Sequence, residues 1–388
     1  MDIRLRLPFA LVLIVLLALL AACEDAREET PAEPERVLTL RYWQAPSTPN
    51  AYLSAGGKDI DAAAVTLEPL ASHDPDGQLV PRLAASIPTV GNGGVAADLA
   101  SITWTLREGL TWSDGSDVSA DDVVFTWRYC TDEATGCTGS DAFNGIASVE
   151  AIDALTVRIT FETPTPYPYT AFVGAGSPVI SRAQFGDCIG AAAAACGSQN
   201  LAPLGTGPYR LVSFRPDQGA TYERNPHYRD ERPYFDRVEI VGGGTAEEAV
   251  RAVLETGEAD FAWNLQIAPE TLAALAGGGP GSIVSAFAGD TERIVINHTN
   301  PDPALGEDRS EYLDGANPHP FLTFAPITQA MSMAIDRARI ADELYGTRCG
   351  ADVQFGAGAG ALRLLSERRV PGAGHRGREG VARRARGC

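Results

Sequence analysis

Thr245-Ala-Glu-Glu-Ala-Val-Arg-Ala-Val-Leu-Glu-Thr-Gly-Glu-Ala-Asp-Phe-Ala-Trp-Asn-Leu265 is the stretch whose reading decides the fold class. Thr245 with Glu248 three residues later is a capping box, so a helix opens here. Its apolar positions Ala249, Val250, Val253 and Leu254 fall on one face. Gly257 supplies the left-handed residue that ends a helix, and Ala259 to Leu265 returns as a strand. Upstream, Gly205-Thr-Gly-Pro-Tyr-Arg-Leu-Val212 is a tight turn feeding another strand. It is not a phosphate loop, because no Lys-Ser/Thr follows and no helix opens there. This strand, turn, helix and strand alternation indicates a mixed α/β sheet rather than a sandwich.

Working outward, Val37-Leu-Thr-Leu-Arg-Tyr-Trp43 alternates and reads as a first strand ending at Trp43-Gln44. Residues Asp61 to Leu70 read as a short apolar helix, and Asp74-Pro-Asp-Gly77 as a turn. Ile102 to Leu110 is an alternating strand closed by a glycine turn, and Asp114-Gly115 makes the next turn. Ser119 with Asp122 starts a helix over Ala120 to Tyr129, with Asp in place of the usual Glu. A further strand covers Thr156 to Phe161. From Ile327 the spacing 327, 330, 331, 334, 335, 338, 341, 344 predicts one long apolar helical face ending near Tyr345-Gly346.

The N-terminus carries targeting information. Arg4 and Arg6 precede an apolar run from Leu7 to Leu20, shorter than the ~20 residues that cross a bilayer. Leu20-Ala-Ala-Cys23 follows, so residues 1–22 read as a secretory signal. The four residues also resemble the bacterial lipobox, which makes Cys23 the lipidated first residue of the mature protein; the plainer alternative is an ordinary signal with an incidental Cys. Residues 23–36 read as a disordered tether. Cysteine usage agrees with export: Cys130 with Cys137, and Cys188 with Cys196, flank short loops and suit local disulfides. Zinc is the sharper alternative, but the spacings lack C-x-x-C and no His lies nearby. Free thiols are the third reading.

The chain has 388 residues and a net charge of −19, which repels nucleic acid, so no nucleic-acid partner is expected of the main body. Its five His (His73, His227, His298, His319, His375) are scattered, with no H-E-x-x-H and no G-x-S-x-G. Asp121-Asp122 sit in a capped first turn, where carboxylates favour the helix dipole. No enzyme, cofactor or metal is read from these residues.

Five stretches occur in an order that resembles the family 5 extracellular solute-binding proteins, the oligopeptide and dipeptide receptors of ABC importers. They are Thr103 to Phe125, Pro203-Leu-Gly-Thr-Gly-Pro-Tyr-Arg-Leu211, Tyr222-Glu-Arg-Asn-Pro-His-Tyr228, Glu255-Thr-Gly-Glu-Ala-Asp260 and Gln329-Ala-Met-Ser-Met-Ala-Ile-Asp-Arg337. The likeness covers about residues 36–346. It implies an α/β, two-lobed periplasmic-binding-protein fold with the second lobe incomplete. The first-lobe core would be residues 36–70 and 200–295, with a β-rich subdomain inserted at 71–199 and the second lobe beginning at 296–346. It also implies a monomer, lipid-anchored at Cys23 outside the cytoplasmic membrane, that delivers peptides or similar small solutes to ABC permease subunits. Loops after sheet strands face the crevice, which nominates Trp43, Gln44, Trp263, Asn264 and Asn297 as ligand contacts. Tyr209 is expected to be structural. Where the family caps its last helix with an acid and places an Arg in the first turn, this chain has Phe324 and Thr328.

After Gly346 the composition changes. Residues 347–388 hold nine Arg, no Lys and three acids, and Gly and Ala dominate. No strand alternation is read there, and the one regular element expected is a short helix around Leu362-Arg-Leu-Leu365. One reading is a basic tail that meets phosphates. The other, better matched to where the resemblance stops, is a shifted reading frame or a truncation. On that reading half a cleft encloses no ligand, and the polypeptide is a defective receptor or a gene remnant. A sensing or scaffolding module uncoupled from transport remains the alternative function.

Overall fold

The computed structural model describes residues 34–263, 265, 267–291, 294–310, 315–345 and 358–366. Two compact units separate after Arg36, and the account below is of the second, Val37–Cys388.

Its main sheet grows around β1 (Val37–Tyr42). Parallel partners flank β1 on both sides, β9 (Arg237–Gly242) and β10 (Phe261–Trp263). Parallel neighbours need a crossover, and the chain supplies it with α3 (Ala246–Arg251), which joins β9 to β10. Its capping box forms: Thr245 Oγ1 accepts from Glu248 N, and Thr245 N donates to Glu248. A π-turn (Ala252–Thr256) continues the helix until Gly257, at φ 70°, stops it. Ala249, Val250, Val253 and Leu254 are fully buried, so the apolar face read from the sequence covers this end of the sheet. Beyond β9 come β8 (Gly219–Arg224) and β7 (Tyr209–Arg215), both antiparallel.

A second body forms around Trp104 and Trp112. Strands β4 (Ser101–Thr105), β5 (Ile146–Ala151) and β6 (Thr156–Phe161) pair in the order β4-β6-β5, and β2 (Ala71–His73) pairs with β3 (Leu79–Pro81). Against them lies α2 (Ala120–Thr131), opened by Ser119 and Asp122. Trp104, Trp112, Tyr52, Tyr129, Phe172 and Phe185 are buried together. A wholly buried Trp of 150–250 Å² contributes about 4–6 kcal/mol of hydrophobic free energy. Cys130 is bonded to Cys137 and Cys188 to Cys196, and the two closed loops meet where Gly190 N donates to Thr135 Oγ1 at 2.8 Å.

The joint between the bodies explains the Gly-Thr-Gly motif. A Cβ on Gly205 would lie 2.1 Å from Thr66 O, and Gly207 N donates to that carbonyl at 2.9 Å. Thr206 Oγ1 donates to Glu68 Oε2, and Arg229 clamps both Glu68 oxygens at 2.6 and 2.9 Å. This is a bidentate, largely buried ion pair.

Three sequence expectations need correction. The helix expected over 61–70 is α1 (Gly57–Ala64). It ends in a turn at Val65-Thr66, beyond which the Thr66 carbonyl accepts from Gly207 N and Leu70 N donates to Phe172 O, so the helical ladder does not continue. The single helix expected from Ile327 is two, α5 (Ala325–Ala334) and α6 (Arg337–Tyr345), numbered after α4 (Pro269–Leu275). Ile335 is extended at ψ 116°, and Asp336 Oδ1 caps the new helix by accepting from Arg339 N. Phe324 precedes α5 without a side-chain cap, with Pro326 in the first turn. Lastly, residues 362–365 are not helical. They lie in β12 (Gly358–Ser366), antiparallel between β10 and β11 (Gly281–Thr291). Backbone partners on both sides decide this conformation, which local composition does not.

Candidate functional site

The parallel register aligns the carboxyl ends of β1 and β10: Leu40 faces Phe261 and Arg41 faces Ala262, so Tyr42-Trp43 and Trp263 leave the sheet at the same end. Tyr42 is also paired with Gly242 of β9. A Cβ on Gly242 would lie 2.2 Å from Ala45 Cα, which is how the loops after β1 and β9 come into contact. Arg41 Nη2 donates to Gly243 O at 2.9 Å and steadies that loop.

Between these strand ends and the start of α1 lies a pocket of about 60 Å³, lined by Tyr42, Trp43, Gln44, Gly57, Lys58 and Trp263. A Cβ on Gly57 would sit 3.4 Å from the Trp263 ring, so the indole lies against the backbone of the helix start. Trp43 is 37% exposed, far from the core packing of Trp104. Tyr42 Oη donates to Asp61 Oδ2 at 2.9 Å. Burial and then the Asp61 charge push its hydroxyl well above the usual range, so it stays a donor.

Asp59, buried next to Lys58, holds the segments behind the pocket wall together. Its carboxylate accepts from Ser47 N, Ser47 Oγ, Thr48 N and Ser54 Oγ, tying the loop after β1 to the first turn of α1. Lys58 Nζ adds contacts of 3.1 and 2.9 Å. Burial opposes ionisation, but the bonds from Ser54, Lys58, Ser47 and Thr48 outweigh it and hold the carboxyl below its usual range.

Of the residues nominated from sequence, Trp43, Gln44 and Trp263 line one pocket. Asn297 is not in its wall; Asn297 Oδ1 accepts from Thr299 N at 2.9 Å in an exposed turn. Asn264 and Cys23 lie outside the described residues. Tyr209 donates to Phe235 O, a structural contact. Sequence reading passed over Gly57 and Lys58, although Lys58 carried a signal: it is the one lysine in the chain. A larger hollow of about 310 Å³ lies over Phe143 beside the Cys130–Cys137 loop. It opens between a helix end and irregular turns, away from the strand ends where α/β sheets take ligands. Among the described residues no group of three or more His, Cys, Asp or Glu is placed to hold a metal.

Residues 78–358 match the family described as bacterial extracellular solute-binding proteins, family 5. Protein XP55 of Streptomyces lividans is 31% identical over 230 residues, which is 59% of this chain and 39% of that protein. A di/tripeptide-binding protein of Pseudomonas aeruginosa is 28% identical over 252 residues, 60% of this chain and 44% of the relative. Two solved structures share the fold. The Bacillus subtilis oligopeptide-binding protein AppA, held with a nonapeptide, superposes with a TM-score of 0.57 at 19% identity, covering 66% of this chain and 49% of that one. The substrate-binding protein CtaP of Listeria monocytogenes gives a TM-score of 0.60 at 23% identity, covering 80% and 57%. The chain thus spans about two fifths of the length of those curated relatives and about half that of the solved ones.

Proposed function

This chain belongs to the bacterial extracellular solute-binding proteins of family 5, and from that premise we propose that it captures a peptide or similarly small solute and hands it to the permease subunits of an ABC importer. The observation that carries the reading is the convergence of Trp43, Gln44 and Trp263 on one pocket at the carboxyl ends of adjacent parallel strands. The indole rings offer apolar faces to a side chain, while the Gln44 amide offers a donor and an acceptor to a peptide group. Binding through closure shifts the population toward the form in which ligand touches both walls of a crevice. A lipid on Cys23 would hold the protein at the outer side of the cytoplasmic membrane as a monomer, with residues 23–36 as tether.

The test is titration of the purified full chain with a panel of di- and tripeptides, read by tryptophan emission. A saturable change that Trp263→Ala abolishes is the expected result. Saturation by sugars and by no peptide would move the substrate class elsewhere. For the anchor, cells fed labelled palmitate should mark the wild-type chain and leave Cys23→Ala unmarked.

A further inference from the structure

The chain uses arginine thirty times and lysine once, and the single lysine stands in the wall of the crevice pocket beside Trp43 and Trp263. Arg and Lys are not equivalent there: an ammonium is a compact point charge, whereas a guanidinium is a wide planar fork. The immediate surroundings of Lys58 show what the charge is available for. Asp59, its ionic partner, is 1% exposed and already accepts two backbone N–H and two hydroxyl bonds without it. Those four donors suffice to satisfy a carboxylate's lone pairs. Lys58, by contrast, is 23% exposed and faces the pocket, with Ser47 Oγ as its other partner at 3.0 Å. Turning Nζ from Asp59 to an incoming anion leaves no bare buried charge behind. The negative member of the pair is thus sealed under the loop, and the positive member is presented on the surface of an otherwise acidic protein.

We infer that Lys58 is the charge-selecting residue of this crevice and that the pocket takes the anionic end of the ligand, a carboxylate seated on Nζ between the rings of Trp43 and Trp263. The inference rests on the receptor reading and deepens it: it specifies which end of a peptide meets this wall, and it disfavours ligands that are amidated or cationic at that end. Asp59 is then a positioning residue, holding the loop after β1 so that Trp43 and Lys58 face the same space.

The uniqueness of Lys58 makes the test direct. Reductive ¹³C-methylation keeps the charge and gives the full chain one side-chain methyl resonance. Trialanine should shift that resonance saturably, and trialanine amide should bind about tenfold more weakly, in line with the loss of a charge-assisted bond. In unlabelled protein, Lys58→Met should erase the preference for acid over amide read by tryptophan emission, and Lys58→Arg should retain part of it. Equal responses to acid and amide, or no movement of the Lys58 resonance with either, would overturn the proposal. If acetate moves the resonance as strongly as trialanine, the anion site stands and the peptide reading falls. If the peptides saturate tryptophan emission while the Lys58 resonance stays still, the receptor reading stands and the charge selection falls.

Discussion

The segment from Ser101 to Thr131 and the segment from Ala325 to Tyr345 carry comparable apolar patterns, yet they end in opposite environments. In the first, Trp104 and Trp112 vanish beneath α2 and its neighbouring strands. In the second, Met331 is 43% and Leu344 60% exposed, on two helices whose spacing predicts one long apolar face. An amphipathic pattern specifies an element and a direction. Burial additionally requires an opposing surface, which the first segment finds in residues 51–204; in the second, α6 approaches α4, yet Met331 and Leu344 stay exposed.

That contrast can be pressed from its strongest side to its weakest. Trp104→Ala should remove about 4 kcal/mol by leaving a cavity in the first body, measured as a lower denaturant midpoint. Survival of the full midpoint would mean that the Trp104 cluster is not what holds that body. At the joint, Glu68→Ala should cost about 3 kcal/mol, because Arg229 is left largely buried without its carboxylate. Replacing both partners by apolar residues should recover much of the loss in the same unfolding assay.

Asp59→Asn should cost about 2 kcal/mol at neutral pH, the scale of hydrogen bonds to a charged group. Its folded pKa lies below the unfolded one, so the carboxylate's contribution is present above the ordinary carboxylate range near 3.9 and lost as pH falls through the depressed folded value. The gap between wild type and variant should therefore close in acid. Met331→Ser, on the exposed apolar face of α5, should change stability by less than about 0.5 kcal/mol. A loss comparable to Trp104→Ala would show that this face is covered in solution, and would dissolve the contrast between the segments.

Legibility in the sequence followed the range of the interactions. Both capping boxes, Ser119 with Asp122 and Thr245 with Glu248, were readable because donor and acceptor lie three residues apart. So were the turns at Asp74–Gly77 and Asp114–Gly115, where φ is +79° at Gly77 and +88° at Gly115. The nomination of Trp43, Gln44 and Trp263 needed one further rule, that loops after parallel strands meet at the crevice, and the register of β1 on β10 brings them together. Asn297 met the same expectation but is not in the pocket wall; its side chain accepts from Thr299 N in an exposed turn.

The sequence by itself determined the α/β class, the capped helix starts, the glycine turns and two of the aromatic walls of the pocket, because each depends on contacts within a few residues or on the strand period. Only the tertiary structure decided where α1 stops, that the helix from Ala325 breaks at Ile335, that residues 358–366 form a strand, and that Lys58 and Trp263 line one pocket. Three of these depend on a partner distant in the chain: Gly207 against Thr66, β10 and β11 on either side of β12, a tryptophan ring against Gly57; the break at Ile335 is accompanied by a local cap from Asp336. Local propensity differs among conformations by about 1 kcal/mol per residue or less, so a few such long-range contacts outweigh it.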